Sequence, residues 1–305
     1  GNNMTNNYYG IYVSSSNNNS ISGNSIKGSS YHGVILDSSS NISLSGNIIT
    51  SNNNGIRLTS SSNNTLRNNV LTSNKYNFDV WGLTLIHFMN DVDISNTVDG
   101  KPIYYWINKQ DTEVPTNAGY VALVNCTRMI VQNLNLTNNG QGILLASTIN
   151  STITKNSIAN NDFGIRLWYS SNNSIYHNGF VDNINQVGSY NSVNVWDDDY
   201  PSGGNYWSDY GSTDLYRGLY QNVTGSDGIG DTAYIIDANS TDNYPLMKPY
   251  AGIHDIGITN VSKSKTIVRQ GDNVDISVKI VNYGINTETF NVTAYAETTV
   301  IATLT

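Results

Sequence analysis

The charged residues most able to bind a ligand lie in the C-terminal third of the chain. Asp197, Asp198 and Asp199 are consecutive, and Asp227 and Asp231 flank a Gly-Ile-Gly loop. Carboxylate oxygens on flexible loops suit Ca²⁺, so the sequence predicts that these five side chains approach one another as a calcium site. The alternative is a solvated acidic segment in which aspartates serve turns.

Aromatic side chains crowd the same segment. Exposed Tyr and Trp rings can stack on sugar faces, and the rings nearest the aspartates are Tyr200, Tyr206, Trp207 and Tyr210. These four are the predicted glycan-binding residues. In the alternative, they form the small hydrophobic core of the segment, because large aromatics bury much apolar area.

No set of residues in the sequence matches a known catalytic arrangement, and we predict no catalytic residue. A hydrolase needs two carboxylates about 5–9 Å apart, and the first 195 residues carry few acids. Arg57 and Arg166 stand at outward positions. However, Asp79 takes the place of Arg57 one repeat later, which predicts an ion pair between neighbouring repeats.

A repeat must position all of these residues. Six times a glycine is followed fourteen residues later by an asparagine, and successive glycines lie 22 or 23 residues apart within each run of three. The pairs are Gly10/Asn24, Gly33/Asn47, Gly55/Asn69, Gly119/Asn133, Gly142/Asn156 and Gly164/Asn178. A fixed period of this length is typical of a solenoid.

Each glycine opens a short alternating run such as Ile56-Arg57-Leu58. Alternation sends the two aliphatic residues inward and the middle residue (Tyr12, Arg57 or Arg166) to solvent. We therefore predict an all-β fold, a right-handed parallel β-helix with 22–23 residues per coil. The six asparagines, Asn24, Asn47, Asn69, Asn133, Asn156 and Asn178, should stack as a ladder inside one corner.

The rhythm divides the chain into parts. Residues 1–195 are the predicted β-helix, interrupted at about 81–118 by a hairpin excursion around the Asp99-Gly100 turn signal. Residues 196–250 are predicted to be an acidic and aromatic cap with a linker. Residues 251–305 show ordinary strand alternation, which predicts the start of an Ig-like β-sandwich that is truncated at Thr305.

Composition narrows the class of protein. The net charge of −8 and the lack of a basic patch argue against nucleic acid as a partner. No apolar stretch is long enough to span a membrane. The single cysteine, Cys126, excludes an internal disulfide and reads as a small buried hydrophobe. Low charge with abundant Asn, Ser, Thr and Tyr fits a secreted or cell-surface protein.

Several segments resemble the NosD-type family. They are TVDGKPIYYWINKQ (97–110), AGYVALVNC (118–126), YPSGGNYWSDYG (200–211) and GSDGIGDTAYIID (225–237), and the resemblance spans about residues 1–248. It implies a β-helical protein like the periplasmic maturation factors of nitrous oxide reductase and the large cell-surface proteins of methanogenic archaea. The tail from residue 251 resembles a CARDB-type Ig-like domain, an arrangement typical of those surface proteins.

The resemblance to NosD also implies a role in handling copper. Copper needs soft or imidazole ligands in clusters. The candidate ligands are instead scattered along the sequence, at His32, His87, His177, His254, Met4, Met89, Met129 and Met247. Metal handling is therefore only the third hypothesis.

The first hypothesis is a non-catalytic extracellular cell-surface protein with a structural or adhesive role, in a surface layer, a sheath or a cell-contact assembly. Its expected partners are copies of itself, other surface proteins or polysaccharide, with calcium as the one expected cofactor. The alternative is a β-helix module that binds or processes glycans.

Overall fold

A computed structural model describes residues 1–250, 256–265, 269, 274–282, 292–296 and 299–304. The chain divides into two compact units, Gly1–Tyr250 and Ala251–Thr305. The first unit holds every residue discussed above except those of the predicted β-sandwich and His254. The fold is all-β and forms a parallel β-solenoid of about nine turns, as the repeat predicted.

The first segment of the solenoid consists of very short strands. They are β1 (Asn3–Thr5), β2 (Tyr9–Ser14), β3 (Ser20–Ser22), β4 (Ser25–Lys27), β5 (His32–Asp37), β6 (Ser43–Ser45), β7 (Ile48–Thr50), β8 (Asn54–Thr59), β9 (Thr65–Arg67), β10 (Val70–Thr72), β11 (Tyr76–Trp81), β12 (Asp91–Val92) and β13 (Thr97–Val98). A 3-10 helix, Leu85–Phe88, lies between β11 and β12.

Three parallel sheets enclose this segment. Their strand orders are β2-β5-β8-β11, β3-β6-β9-β12 and β1-β4-β7-β10-β13. Registers join residues one coil apart, for example Ile11 with Val34 and Val34 with Ile56. Each coil therefore buries its apolar side chains only by stacking on its neighbours, as a solenoid must.

A second segment repeats the plan. Its strands are β14 (Lys101–Ile107), β15 (Tyr120–Val124), β16 (Ile130–Gln132), β17 (Asn135–Thr137), β18 (Gln141–Ala146), β19 (Thr152–Thr154), β20 (Ser157–Ala159), β21 (Phe163–Trp168), β22 (Ser174–Tyr176), β23 (Gly179–Val181), β24 (Asn185–Tyr190) and β25 (Tyr206–Trp207). Its sheets are β14-β15-β18-β21-β24, β16-β19-β22 and β17-β20-β23-β25.

The hairpin at Asp99-Gly100 joins the two segments. Strand β13 pairs in parallel with β10 and antiparallel with β14, and β14 then pairs in parallel with β15. Gly100 has a φ of +80°, which a residue without a Cβ adopts readily. The predicted excursion is thus corrected: both hairpin strands are rungs of one continuous ten-stranded sheet, because their backbone groups pair outward with β10 and β15.

Reversal of strand direction moves the core to the other face of this sheet. On β15 and β18, Val121, Leu123, Ile143 and Leu145 belong to the core of the second segment. The alternate residues, among them Ala122 and Leu144, join the core of the first segment. The shared sheet is therefore buried on both faces at β15 and β18, and the sequence prediction that middle positions face solvent is wrong at Leu144.

Asparagine ladders run through the corners of both segments. Each side-chain amide donates to the next carbonyl oxygen at 2.8–3.0 Å, along Asn24, Asn47, Asn69 and Asn96, and along Asn156, Asn178 and Asn205. A second set that the repeat analysis missed includes Asn52–Asn74 and Asn161–Asn183. The buried amides thereby satisfy the corner carbonyls as well as one another.

Asn133 does not belong to the ladder, which corrects one predicted member. It is exposed and has a φ of 57°, while the backbone N–H of Leu134 donates to Asn156 Oδ1 at 3.1 Å. The physical reason is the register of this coil. Val121 pairs with Ile143, so Tyr120 and not Gly119 stands opposite Gly142, and the fourteen-residue count ends one residue early.

The segment after β24 closes the end of the second core. Trp196 and Trp207 are buried in that core, and β25 pairs with β23. The remaining strands of this segment form two antiparallel pairs. They are β26 (Tyr216–Arg217) with β27 (Val223–Thr224), and β28 (Tyr234–Asp237) with β29 (Ser240–Asp242).

In the second unit the described residues form two further antiparallel pairs. They are β30 (Ile256–Lys263) with β31 (Ile276–Asn282), and β32 (Val292–Ala296) with β33 (Thr299–Leu304). The predicted Ig-like β-sandwich includes residues that lie outside the described set. His254 also lies outside that set.

Candidate functional site

The cap aspartates serve the backbone of the cap. Asp231 accepts hydrogen bonds from the backbone N–H groups of Leu215 and Tyr216, and Asp227 accepts one from Ile229. Asp197 Oδ2 accepts from the backbone and side-chain nitrogens of Asn243 at 2.9 Å. These contacts are those of turn-forming aspartates.

Calcium would need several of these carboxylates in one place. Within the described part of the chain, no group of three or more His, Cys, Asp or Glu side chains is arranged to hold a metal ion. Asp198 contacts Ser202, and Asp199 bonds through its backbone N–H to Asp197. The calcium site therefore remains a prediction that the observed arrangement of the aspartates does not support.

The cap aromatics are largely the core of the cap. Trp207 is 1% exposed and stacks between Phe180 and Tyr234, at ring-centroid distances of 4.5 and 4.3 Å. The prediction that Trp207 offers a face to a sugar is wrong, because closing the open end of the solenoid takes both of its faces. Tyr200, Tyr206 and Tyr210 are half-buried, and Tyr210 donates its hydroxyl to Thr232.

The soft ligands that copper would need are not brought together. Met129 is fully buried in the core of the second segment, and Cys126 Sγ lies against backbone carbonyls while burial raises the pKa of its thiol. His32 is covered by tyrosine rings, and His177 contacts Ser202. The donor set of the described residues does not fit a copper site.

A charged cluster larger than the predicted ion pair lies where the first segment meets the second. Arg57 Nη1 is 3.1 Å from Asp79 Oδ2, which confirms the predicted ion pair between neighbouring coils. Asp79 is 1% exposed, and Gln141 Nε2 donates to its other oxygen at 2.5 Å. Burial raises the pKa of Asp79, although Arg57 and Gln141 both favour its charged form.

Arg166 closes this cluster from the second segment. Its guanidinium carbon lies 3.2 Å from the ring centre of Trp81, and Phe163 packs edge-on against the same ring. Burial lowers the pKa of Arg166 to about 10, while Asp79 acts in the opposite direction. The predicted outward Arg166 is thus held against an aromatic wall, because β21 presents its outer face to the first segment.

A surface pocket of about 310 Å³ opens beside this cluster. Its lining residues are Lys75, Tyr76, Asn138, Asn160, Asn161, Asp182 and Ile184. The pocket combines an ammonium group, a carboxylate, amides and apolar surface. Its volume is at the lower end of the range of small-molecule sites. The fold builds this concave corner by setting β11, the last strand of its sheet, against the outer face of β18 and β21.

A row of three exposed side chains and one half-buried side chain leads along the first segment to the pocket. Backbone hydrogen bonds run from the Tyr31 N–H to the Tyr8 carbonyl, from the Asn54 N–H to the Tyr31 carbonyl, and from the Tyr76 N–H to the Asn53 carbonyl. Asn54 directly follows Asn53, and Tyr76 directly follows Lys75. Tyr8, Tyr31, Asn53 and Lys75 therefore occupy equivalent positions on four successive coils. Rungs about 4.8 Å apart place Tyr8 roughly 14 Å from Lys75 along the row.

The first members of this row belong to a tyrosine cluster. Tyr8 and Tyr31 stack at 5.3 Å, and Tyr9 and Tyr12 stack at 5.0 Å. Tyr8 is 61% exposed, Tyr12 50% and Tyr31 38%. We call Tyr8, Tyr9, Tyr12 and Tyr31 the tyrosine patch. Sequence analysis missed it, although the Tyr8-Tyr9 pair and Tyr31, one coil later, were visible signals.

The fold and these surfaces define a β-solenoid protein that displays side chains from rigid coils. A family model described as "Periplasmic copper-binding protein (NosD)" matches residues 1–106 and 111–212, more than half of the chain. The chain belongs to the NosD family. Among curated proteins, no match was found.

Membership of this family agrees with the predicted location. The family description is periplasmic, which fits a protein of the cell envelope or the extracellular space. Among the described residues there is no helix long and apolar enough to cross a membrane. The copper in the family description is not matched by a ligand cluster in the described part of this chain.

Proposed function

We propose that this chain is a non-catalytic protein of the cell envelope or cell surface with an adhesive role. The tyrosine patch carries the proposal. It places partly exposed aromatic rings side by side on two adjacent coils. Clustered aromatic surface of this kind is enriched where proteins bind partners.

Rigidity of the coils supports this role. The patch lies on β2 and on the residues just before β2 and β5, and each coil is tied to the next by a buried amide ladder at 2.8–2.9 Å. A surface that is already ordered loses little conformational entropy when it binds. The same construction suits a surface layer, a sheath or a cell-contact assembly, with copies of itself, other surface proteins or polysaccharide as partners.

Bead adhesion tests the proposal. Beads coated with the full chain are mixed with one another and with surfaces bearing insoluble polysaccharides, and release of reducing sugar is measured in parallel. We expect clustering or attachment without sugar release. Absence of both kinds of adhesion, or release of sugar, would overturn the proposal.

A matched pair of variants locates the contact. Tyr8→Ser with Tyr31→Ser removes two rings of the patch, and adhesion should fall at least several-fold. Tyr169→Ser with Tyr190→Ser removes two other exposed rings, which lie 5.5 Å apart just after β21 and at the end of β24, and should leave adhesion unchanged. Equal loss in both double variants would contradict the assignment of adhesion to the patch.

A further inference from the structure

We propose that the row Tyr8–Tyr31–Asn53–Lys75, together with the pocket at its end, binds a neutral glycan chain. This inference rests on the proposed adhesive role and names its ligand. We call the row and the pocket together the glycan track. No residue of the track belongs to the aspartate and aromatic groups of the cap.

The order of side chains along the track matches what a sugar chain offers. The stacked rings of Tyr8 and Tyr31 present partly exposed apolar surface at one end. Asn53 follows one rung later, and an amide both donates and accepts hydrogen bonds, as sugar hydroxyls do. Lys75 and the pocket amides of Asn138 and Asn160 complete the polar end.

The direction of the track follows from the fold. Its four residues are in register on consecutive coils, so the row runs parallel to the stacking direction and is straight. An extended chain molecule can lie along such a row, whereas a compact ligand would contact only one end. The row spans roughly 14 Å at about 4.8 Å per rung, which a short oligosaccharide can cover.

Charge balance selects a neutral ligand over an acidic one. Three cations, Lys75, Arg57 and Arg166, stand at the corner, where Asp79, Asp162 and Asp182 supply three carboxylates. Arg57 forms an ion pair with Asp79, and Lys75 and Arg166 attract the carboxylate of Asp162 electrostatically. An acidic sugar would have to displace these partners, so electrostatic attraction offers it no net advantage.

The corner also holds groups that limit its movement. Arg166 is fixed on Trp81, and Asp79 is held by Gln141 of β18 across the two segments. The pocket walls therefore come from both segments and are joined by buried contacts. Preformed walls of this kind are what a binding site needs if its ligand is to bind without a large ordering cost.

Calorimetry with soluble oligosaccharides tests the inference on the full chain. The probes are cello-, chito- and manno-oligosaccharides of increasing length, and oligogalacturonate of equal length as the acidic comparison. We expect at least one neutral series to bind, with affinity rising with length until the track is covered. Absence of neutral binding, or tighter binding of the acidic series, would overturn the inference.

Variants of exposed residues assign the binding to the track. Ile184→Trp fills part of the pocket and should weaken binding about tenfold, equivalent to about 1.4 kcal/mol. Its control is Ile235→Trp on the cap hairpin, since Ile184 and Ile235 are 67% and 66% exposed. Unchanged affinity in Ile184→Trp would count against the pocket.

The ammonium group has its own matched control. Lys75→Met removes the charge but keeps most of the stem, and it should weaken binding several-fold. Lys155→Met is the control, because both lysines lie over a tyrosine ring, Lys75 at 4.9 Å from Tyr76 and Lys155 at 5.8 Å from Tyr250. Equal affinity of the two variants would contradict a role for Lys75.

The two assays separate failure of the inference from failure of the proposed function. Beads that cluster with one another while no oligosaccharide binds would leave an adhesive protein whose partner is a second copy of the chain. Oligosaccharide binding without bead adhesion would retain the glycan track and reject the adhesive role.

Discussion

Asn47 offers the sharpest test of what holds the coils together. Its side chain is fully buried in the corner of the first segment. Its carbonyl oxygen accepts from the backbone N–H of Asn24 at 3.0 Å and from the Asn24 amide at 2.9 Å. Its own amide donates to Asn69 Oδ1 and to the backbone oxygens of Ile21 and Ser45. Asn47→Ala removes all of these contacts.

The loss of unfolding free energy in Asn47→Ala depends on which partner groups keep a hydrogen bond. Asn69 Oδ1 keeps the backbone N–H of Asn47, at 3.1 Å. The backbone N–H of Asn24 loses its acceptor inside the corner, and each buried group left unsatisfied costs about 1–3 kcal/mol. With the weakened amide contacts added, we expect a loss of about 3 kcal/mol. For a domain of this size that lowers the melting temperature by roughly 6–12 °C.

Thermal unfolding followed by circular dichroism measures this loss, and hydrogen exchange localises it, because the Asn24 amide should lose protection. The control is Asn133→Gly. Asn133 has the same spacing from its glycine but is exposed, and glycine accepts its φ of 57° without strain. We expect the control to change the melting temperature by no more than about 2 °C, since surface changes are within roughly 0.5 kcal/mol. Equal melting temperatures for wild type and Asn47→Ala would refute the argument from buried amides.

Three further predictions concern buried ionisable groups. Burial raises the pKa of Asp242 from 3.8 to about 7, so the folded state binds a proton that the unfolded chain releases, and this contribution to stability is lost as pH rises from about 4 to 7. Asp242→Asn should remove that slope, as seen in the difference between melting curves of variant and wild type. Burial and Arg57 lower the pKa of His32 to about 4, so its contribution is lost as pH falls from about 6.5 to 4, and His32→Phe should remove this opposite slope. Asp79→Ala should destabilise by about 3–5 kcal/mol because it strands Arg57, and denaturant unfolding of the double variant with Arg57→Met should recover part of that loss; purely additive effects would reject the coupling.

The coil could be predicted because its determinants are local. The recurrence of glycine–asparagine pairs such as Gly55 and Asn69 sets the period. Alternation in runs such as Ile56-Arg57-Leu58 determines which residues enter the core. A second ladder was also legible, since Asn52 and Asn74 each follow a ladder asparagine by five residues. The same local pattern failed at Asn133, where the register shifts by one residue, because pairing with the next coil and not spacing from a glycine selects the ladder position.

The candidate site could not be predicted in the same way. Asp99-Gly100 indicates a hairpin, but the pairing of its strands with β10 and β15 depends on contacts distant in sequence. That pairing decides whether Arg166 faces water or Trp81. Burial of Trp207 likewise depends on Phe180 and Tyr234, which lie 27 residues to either side in the sequence. Residue type alone therefore marked the cap as a binding surface although its rings close the core.

The reversal at the hairpin explains why a solenoid of uniform coils has a concave site. Had the second segment continued in the same direction, Leu144 and Arg166 would project from a flat face like that of Tyr12. Because the core changes face at β14, the outer side of β18 and β21 turns toward β11, and Gln141 meets Asp79. The two segments joined in this way form a concave corner, and the pocket beside Lys75 lies in that corner. A variant that kept the coils but lost the reversal would keep its ladders and lose the pocket, so stability and binding are separable properties of this fold.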